Sequence, residues 1–135
     1  MGTQAPIQRT SAPAEPSTES TVPAAPATNE ATQLLLAQAK QAREAEAHSD
    51  AVVYLERAIR LEPRNSALWS TLAQVHLDDG NLIAAKQHVR KAIALAGDND
   101  GLQRSAWLTL ADIREAEGAP AEAASIRRRY QTGRG

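Results

Sequence analysis

Cysteine and phenylalanine are both absent from the 135 residues, and aromatic residues make up only 3% of them. The absence of cysteine excludes disulfides, thiolate catalysis and the commonest structural zinc sites. Because large rings are so scarce, a hydrophobic core must be built mainly from Ala, Leu, Ile and Val. Cores rich in alanine suit helices that pack closely together.

An excess of charge of either sign is also missing, since 15 Lys and Arg residues face 16 Asp and Glu residues. The overall charge therefore gives no electrostatic signature of nucleic acid or of an anionic membrane as a partner.

No apolar run approaches the roughly 18 residues that span a bilayer, and the N-terminus lacks the basic and then apolar pattern of a signal peptide. We expect a soluble chain, whose Met1-Gly2 start would also fit a mature secreted sequence that has lost its targeting segment.

The segment before Glu30 differs in composition from the rest of the chain. It holds five of the seven prolines, and Ile7 and Val22 are its only large apolar residues besides Met1. Such a segment cannot bury enough surface to fold, and its prolines favour an extended chain of roughly 3 Å per residue. We predict a disordered Pro/Ala/Ser/Thr-rich tether over 1–29, followed by a folded domain over 30–135. A terminus without a function is the alternative.

From Glu30 onward the strong helix formers Ala, Leu, Gln, Glu and Arg dominate, with apolar residues every three or four positions. Asp50, Asn65 and Asn81 are predicted to cap the N-termini of helices, and Gly97 to end one in a left-handed conformation. The spacing of these signals predicts an all-α fold with helices over 31–47, 51–61, 66–79, 82–96, 103–117 and 120–131.

The chain also repeats itself. When the sequence is aligned with itself, one offset aligns Ala39 with Ala73 and also Ala51 with Ala85. A second, slightly longer offset matches four more pairs: Trp69 and Trp107, Thr71 and Thr109, Gly80 and Gly118, Ala85 and Ala123. The six helices therefore form three copies of a helical pair, with the extra length of the second offset placed in the loop that begins at Gly97.

This pattern resembles the tetratricopeptide repeat (TPR), a helical hairpin with a large residue early, a small residue four positions later and another small residue at the start of its second helix. The middle copy matches it with Trp69, Leu72, Ala73, Gly80, Ala85 and Ala92. The resemblance covers about residues 31–131 and implies about three hairpins stacked as a short right-handed solenoid. Glu46, where the turn glycine is expected, and Arg127, at a usually apolar position, depart from the pattern, as does Gln38. Polar residues on the outer copies suit repeats that cap a stack.

A proline-rich spacer before a short TPR tandem resembles the outer-membrane lipoproteins, of the LpoP type, that activate a class A penicillin-binding protein. In that family a lipid on an N-terminal cysteine anchors the spacer, so the resemblance requires an anchor that this cysteine-free chain has lost. It implies a non-catalytic scaffold on the periplasmic face of the outer membrane, whose partner is a bifunctional peptidoglycan synthase. The alternatives are a pilotin-like assembly factor for a secretin or type IV pilus, and a cytoplasmic TPR adaptor.

The resemblance also selects candidate binding residues, because the first helices of a TPR stack line a concave groove that holds partner segments. Ten positions correspond to that groove: Leu36, Lys40, Arg43, Ser70, Gln74, Leu77, Asp78, Leu108, Asp112 and Glu115. The groove would be basic in the first copy and acidic in the third, which would orient a partner by charge. A solvated helix face with incidental charges is the alternative.

Neither a catalytic nor a cofactor site is predicted. The sequence has no nucleophile beside a base, no glycine-rich phosphate loop and no inward-facing pair of carboxylates. His48, His76 and His88 have no second ligand at zinc-like spacing, so no metal site is predicted either.

Two further features have a structural interpretation. Trp69 and Trp107 fall at the position that packs between the two helices of a hairpin, so we expect them to anchor the core rather than bind a partner. The run Arg127-Arg128-Arg129 has no interleaved aromatic residues, which indicates a solvated helix end rather than a nucleic-acid site.

Overall fold

The computed structural model describes residues 29–131, so the predicted tether up to position 28 and the stretch 132–135 lie outside the described residues. The described part folds as six helices in three antiparallel hairpins: α1 (Glu30–Glu44), α2 (His48–Leu61), α3 (Ser66–Asp78), α4 (Leu82–Ala96), α5 (Asp100–Ala116) and α6 (Pro120–Gln131). This architecture confirms the all-α fold and the three predicted pairs.

Four of the six described helices, α1, α3, α4 and α5, begin after an asparagine. The Asn65 side chain accepts a hydrogen bond from the Ala67 amide, and the Asn81 side chain likewise caps α4, both as predicted. The prediction for Asp50 was wrong, because α2 begins at His48 and Asp50 lies in its first turn. Asn29 and Asn99 also cap helices, so α1 and α5 begin earlier than the sequence suggested.

Each hairpin turns by the same hydrogen-bond pattern at the end of its first helix. In the middle hairpin the Gly80 amide donates to Leu77 O and the next amide donates to His76 O, at 2.9 and 2.8 Å. This arrangement requires a left-handed residue, and Gly80 and Gly118 supply it with φ of 79° and 87°. In the first hairpin Glu46 takes this conformation with φ 61°.

Alanines lie where the two helices of each hairpin approach closely. Ala39, Ala73 and Ala111 in the first helices, and their counterparts Ala51, Ala85 and Ala123 in the second, are all 0% exposed. Larger side chains at these six positions would hold the helices apart. The repeat of small residues in the sequence is therefore the repeat of the helix contacts.

Two apolar clusters join the hairpins into one stack. The first contains Leu55 of α2 with Leu72 and Val75 of α3. The second contains Ala73 of α3 with Val89 of α4 and Ile113 of α5. Since α3 contributes to both clusters, the middle hairpin is held from both sides.

Both tryptophans pack within their own hairpins, as the repeat pattern predicted. The Trp69 ring lies 5.7 Å from the His88 ring of α4, and its indole N–H donates to Pro63 O at 2.9 Å. Trp107 stacks on Tyr130 of α6, with ring centroids 5.5 Å apart and planes 5° apart. The interhelical position of both rings is confirmed.

Candidate functional site

The candidate site is the side of the stack formed by the first helices, α1, α3 and α5. The repeat places Lys40, Gln74 and Asp112 at equivalent positions of these helices. The structure shows that this row of positions serves two purposes. Part of it is open to solvent, and part of it joins one first helix to the next.

A polar ladder crosses the three first helices. Arg43 of α1 forms an ion pair with Asp78 of α3, with Nε and Oδ2 2.5 Å apart. The same guanidinium donates to Gln74 Oε1 at 2.9 Å. Gln74 in turn donates to Thr109 Oγ1 of α5 at 3.0 Å, and the Thr109 hydroxyl donates to Ser105 O. These charge-assisted and neutral hydrogen bonds fix the spacing of the first helices.

The carboxylates at the acidic end of the predicted groove also form ion pairs within the domain. Arg127 of α6 donates to Asp112 at 2.7 Å and to Glu115 at 2.6 Å. The hydrogen bonds to Asp112 and then Glu115 raise the pKa of Arg127. The charge that was expected to orient a partner is therefore largely paired within the domain. The carboxylates nevertheless keep 55% and 57% side-chain exposure, so a partner can still reach them.

Two of the three apolar candidates lie at the joints between hairpins. Leu36 packs against the cluster that contains Leu72, and Leu77 packs against the cluster that contains Ile113. Leu108 is half-buried, whereas Ser70 is only 3% exposed and offers almost no surface to a partner.

Lys40 stands apart from the other charged candidates. It is exposed on α1 and forms no ion pair with any residue that the structure describes. Among the exposed and half-buried candidates, Lys40 and Leu108 take part in none of the ion pairs, hydrogen bonds or apolar clusters described above.

The structure brings together two histidines that the sequence kept apart. The rings of His76 in α3 and His88 in α4 stack with centroids 5.1 Å apart. Burial lowers the pKa of both, and the proximity of His76 lowers that of His88 further, while Glu56 opposes the shift in each. Within 29–131, no group of three or more His, Cys, Asp or Glu residues is arranged to hold a metal ion.

Sequence reasoning missed two residues of this surface. Thr109 was noted only as the counterpart of Thr71, and nothing local indicated that it receives the amide of Gln74. Arg127 was visible as a charged residue at an apolar repeat position, and that departure was the signal of its bonds to α5.

Among the described helices, none is long and apolar enough to cross a membrane.

Comparison with known proteins places this geometry in a family. The family model described as tetratricopeptide repeat matches residues 42–105. A solved structure of the globular C-terminal domain of P. aeruginosa LpoP superposes with a TM-score of 0.71 at 31% identity, covering 76% of this chain and 97% of that one. No curated protein matches the chain. The chain therefore belongs to the tetratricopeptide-repeat family, and its helical part is similar to the C-terminal domain of LpoP.

Proposed function

We propose that this chain is a non-catalytic scaffold that binds a class A penicillin-binding protein and raises its peptidoglycan synthase activity. The observation that carries the proposal is the 31% identity to the LpoP domain over 97% of its length. The proline-rich segment before the helical domain supports it, because the activator family also joins a spacer to a short TPR tandem. The proposed location is the periplasmic face of the outer membrane, with a lipid anchor in the full-length form.

The geometry supports a binding role in which the domain acts as a rigid body. The polar ladder ties α1 to α3 and α3 to α5, so the first helices present a surface of fixed shape. Binding to a preorganised surface loses little entropy in the scaffold, and a scaffold that prefers the active form of an enzyme shifts the enzyme toward that form. We propose that Lys40 and Leu108 contact the partner directly, while Arg43 and Gln74 hold the surface in shape.

The test is glycan polymerisation and cross-linking by a purified bifunctional peptidoglycan synthase, with and without the full chain. The double variant Lys40→Ala/Leu108→Ala removes one long polar and one large aliphatic side chain from the candidate surface. Its matched control is Gln87→Ala/Ile83→Ala on α4, where both side chains are exposed. We expect the wild type and the control to stimulate the synthase, and the groove variant to bind it roughly tenfold more weakly.

Two outcomes would contradict the proposal. Absence of both binding and stimulation by the wild type would remove the activator function. Stimulation that is equally reduced in both double variants would move the site away from the first helices. Thermal unfolding of each variant separates loss of contact from loss of fold.

A further inference from the structure

The second helices, α2, α4 and α6, carry a row of cations in the same register. Arg57, Lys91 and Arg129 are related by the same two offsets that align the buried alanines, so they occupy equivalent positions of the three hairpins. All three are exposed. The row therefore lies on an exposed face of the second helices, where α2 also carries the exposed carboxylates of Asp50 and Glu56.

These cations lack the carboxylate partners that several other basic residues have. Lys86, Arg114 and Arg127 each form an ion pair with a carboxylate. In the described part of the chain no such pair involves Arg57, Lys91 or Arg129, nor the exposed neighbours of the row, Arg60 and Arg90. Five exposed positive charges therefore face solvent on this side without a carboxylate partner.

Aromatic rings support two of the cations without neutralising them. Lys91 Nζ lies 5.8 Å from the centroid of the Trp69 ring, and the Arg129 guanidinium carbon lies 5.7 Å from that of Tyr130. A ring attracts a cation through its quadrupole and leaves its net charge unchanged. The row therefore remains available to an anionic partner.

Exposed aliphatic side chains accompany the charges on α2. Val53 and Leu61 lie one turn before and one turn after Arg57, on the same helix face, and are 44% and 49% exposed. A helix face that combines basic and exposed aliphatic residues suits the interface of a bilayer, where the cations meet headgroups and the aliphatic groups leave water. A purely ionic partner would leave Val53 and Leu61 in water.

The row extends over three successive hairpins. A single small anion would contact only part of it. A fluid array of anionic headgroups can adjust to the length of the row. We propose that Arg57, Lys91 and Arg129, with Arg60 and Arg90, form a surface that binds an anionic phospholipid membrane. This inference does not rest on the proposed synthase partner.

The experiment is co-sedimentation of the full chain with phosphatidylcholine vesicles prepared with and without phosphatidylglycerol. We expect binding only when phosphatidylglycerol is present, and weaker binding as salt is raised. Each cation near an anionic surface strengthens binding roughly fivefold, so Arg57→Gln/Lys91→Gln should bind roughly 25-fold more weakly. Gln87→Lys, which adds a cation one turn before Lys91, should strengthen binding roughly fivefold.

The matched control is Lys40→Gln/Arg104→Gln, which removes from the first helices α1 and α5 two exposed cations that form no ion pair within residues 29–131. Its binding should stay close to that of the wild type. A wild type that does not sediment with phosphatidylglycerol vesicles would overturn the proposal, as would equal losses in the two double variants. Binding to poly-glutamate without binding to vesicles would also overturn it, in favour of an acidic protein segment.

Discussion

The turn of the first hairpin offers a direct test of how this fold stores backbone strain. Glu46 adopts φ 61° at the position where the other two hairpins have Gly80 and Gly118. Its amide donates to Arg43 O and the following amide donates to Ala42 O, at 3.0 and 2.8 Å, as in the glycine turns. The Glu46 side chain is exposed. Replacing it with glycine therefore removes strain without removing a packed group.

The expected gain follows from two opposing terms. A non-glycine residue in the left-handed region costs roughly 1–2 kcal/mol. Glycine loses more conformational entropy on folding, which offsets roughly 0.5–1 kcal/mol of that gain. Glu46→Gly should therefore raise the free energy of unfolding by about 0.5–1 kcal/mol. For a domain of this size that corresponds to a rise in Tm of roughly 2–8 °C.

Thermal and urea unfolding of the full chain measure this change. Glu46→Gln is the control for loss of the charge, because it keeps the strained backbone and should leave the stability within about 0.5 kcal/mol of the wild type. Glu46→Asn should fall between the two, since asparagine tolerates the left-handed conformation better than most residues.

The reverse change tests the same argument in the middle hairpin. Gly80→Ala should lower the free energy of unfolding by about 0.5–1 kcal/mol, because a backbone strain of about 1–2 kcal/mol is partly offset by the lower entropy of the unfolded chain. Steric overlap does not contribute, because an added Cβ at Gly80 would meet no atom within 4 Å. The Glu46 variants have a clear refuting result. If Glu46→Gly and Glu46→Gln changed the free energy of unfolding equally, the gain would come from loss of the charge and not from relief of backbone strain.

Three further predictions concern packing, capping and pH. Ala73→Leu should destabilise the domain by about 1–3 kcal/mol in urea unfolding, because Ala73 is 0% exposed at a close helix contact; a smaller cost would mean that the contact can open. Asn99→Ala should cost about 1 kcal/mol, because it removes the cap that accepts from the Leu102 amide at 2.9 Å, whereas Asn99→Asp should retain most of the stability. The folded-state pKa values of His76 and His88 lie below 6.5, so the folded domain binds fewer protons than the unfolded chain. Their contribution to stability should therefore be complete above a pH of about 6.5 and decrease as the pH falls below it. Urea unfolding at pH 7.5 and 5.5 should show a smaller decrease in the variant His76→Gln/His88→Gln; equal decreases in the variant and the wild type would contradict this assignment.

The sequence predicted the hairpins because their determinants are local. Small residues such as Ala39 and Ala73 mark the helix contacts, and Asn65 and Asn81 mark helix starts, within a few residues of the structure they specify. Asp50 shows where this reasoning fails, since a residue of the correct type inside the first turn of a helix resembles a cap. The left-handed conformation of Glu46 was not predicted, although its place in the repeat was noticed.

The candidate site was predicted less well because its contacts join residues that are far apart in the chain. Gln74 bonds to Arg43 and to Thr109, which lie 31 and 35 residues away. The partners of long polar side chains depend on how the helices finally pack. Repeat position alone therefore could not show that Arg43 would form an ion pair with Asp78. The pairing of His76 with His88 was missed for the same reason.

The bonds between Arg127 and the two carboxylates of α5 also bear on how copies of this domain associate. Asp112 and Glu115 correspond to Gln74 and Leu77, which face the next first helix in the stack, so in α5 they occupy the surface where another hairpin would dock. A repeat protein with an apolar end can add copies head to tail, and such contacts do not close and lead to filaments. Leu34, 61% exposed on α1, provides one apolar surface of that kind at the opposite end. Because the α5 end carries a cluster of hydrated charges, docking Leu34 there would require their desolvation, and open-ended polymerisation is disfavoured.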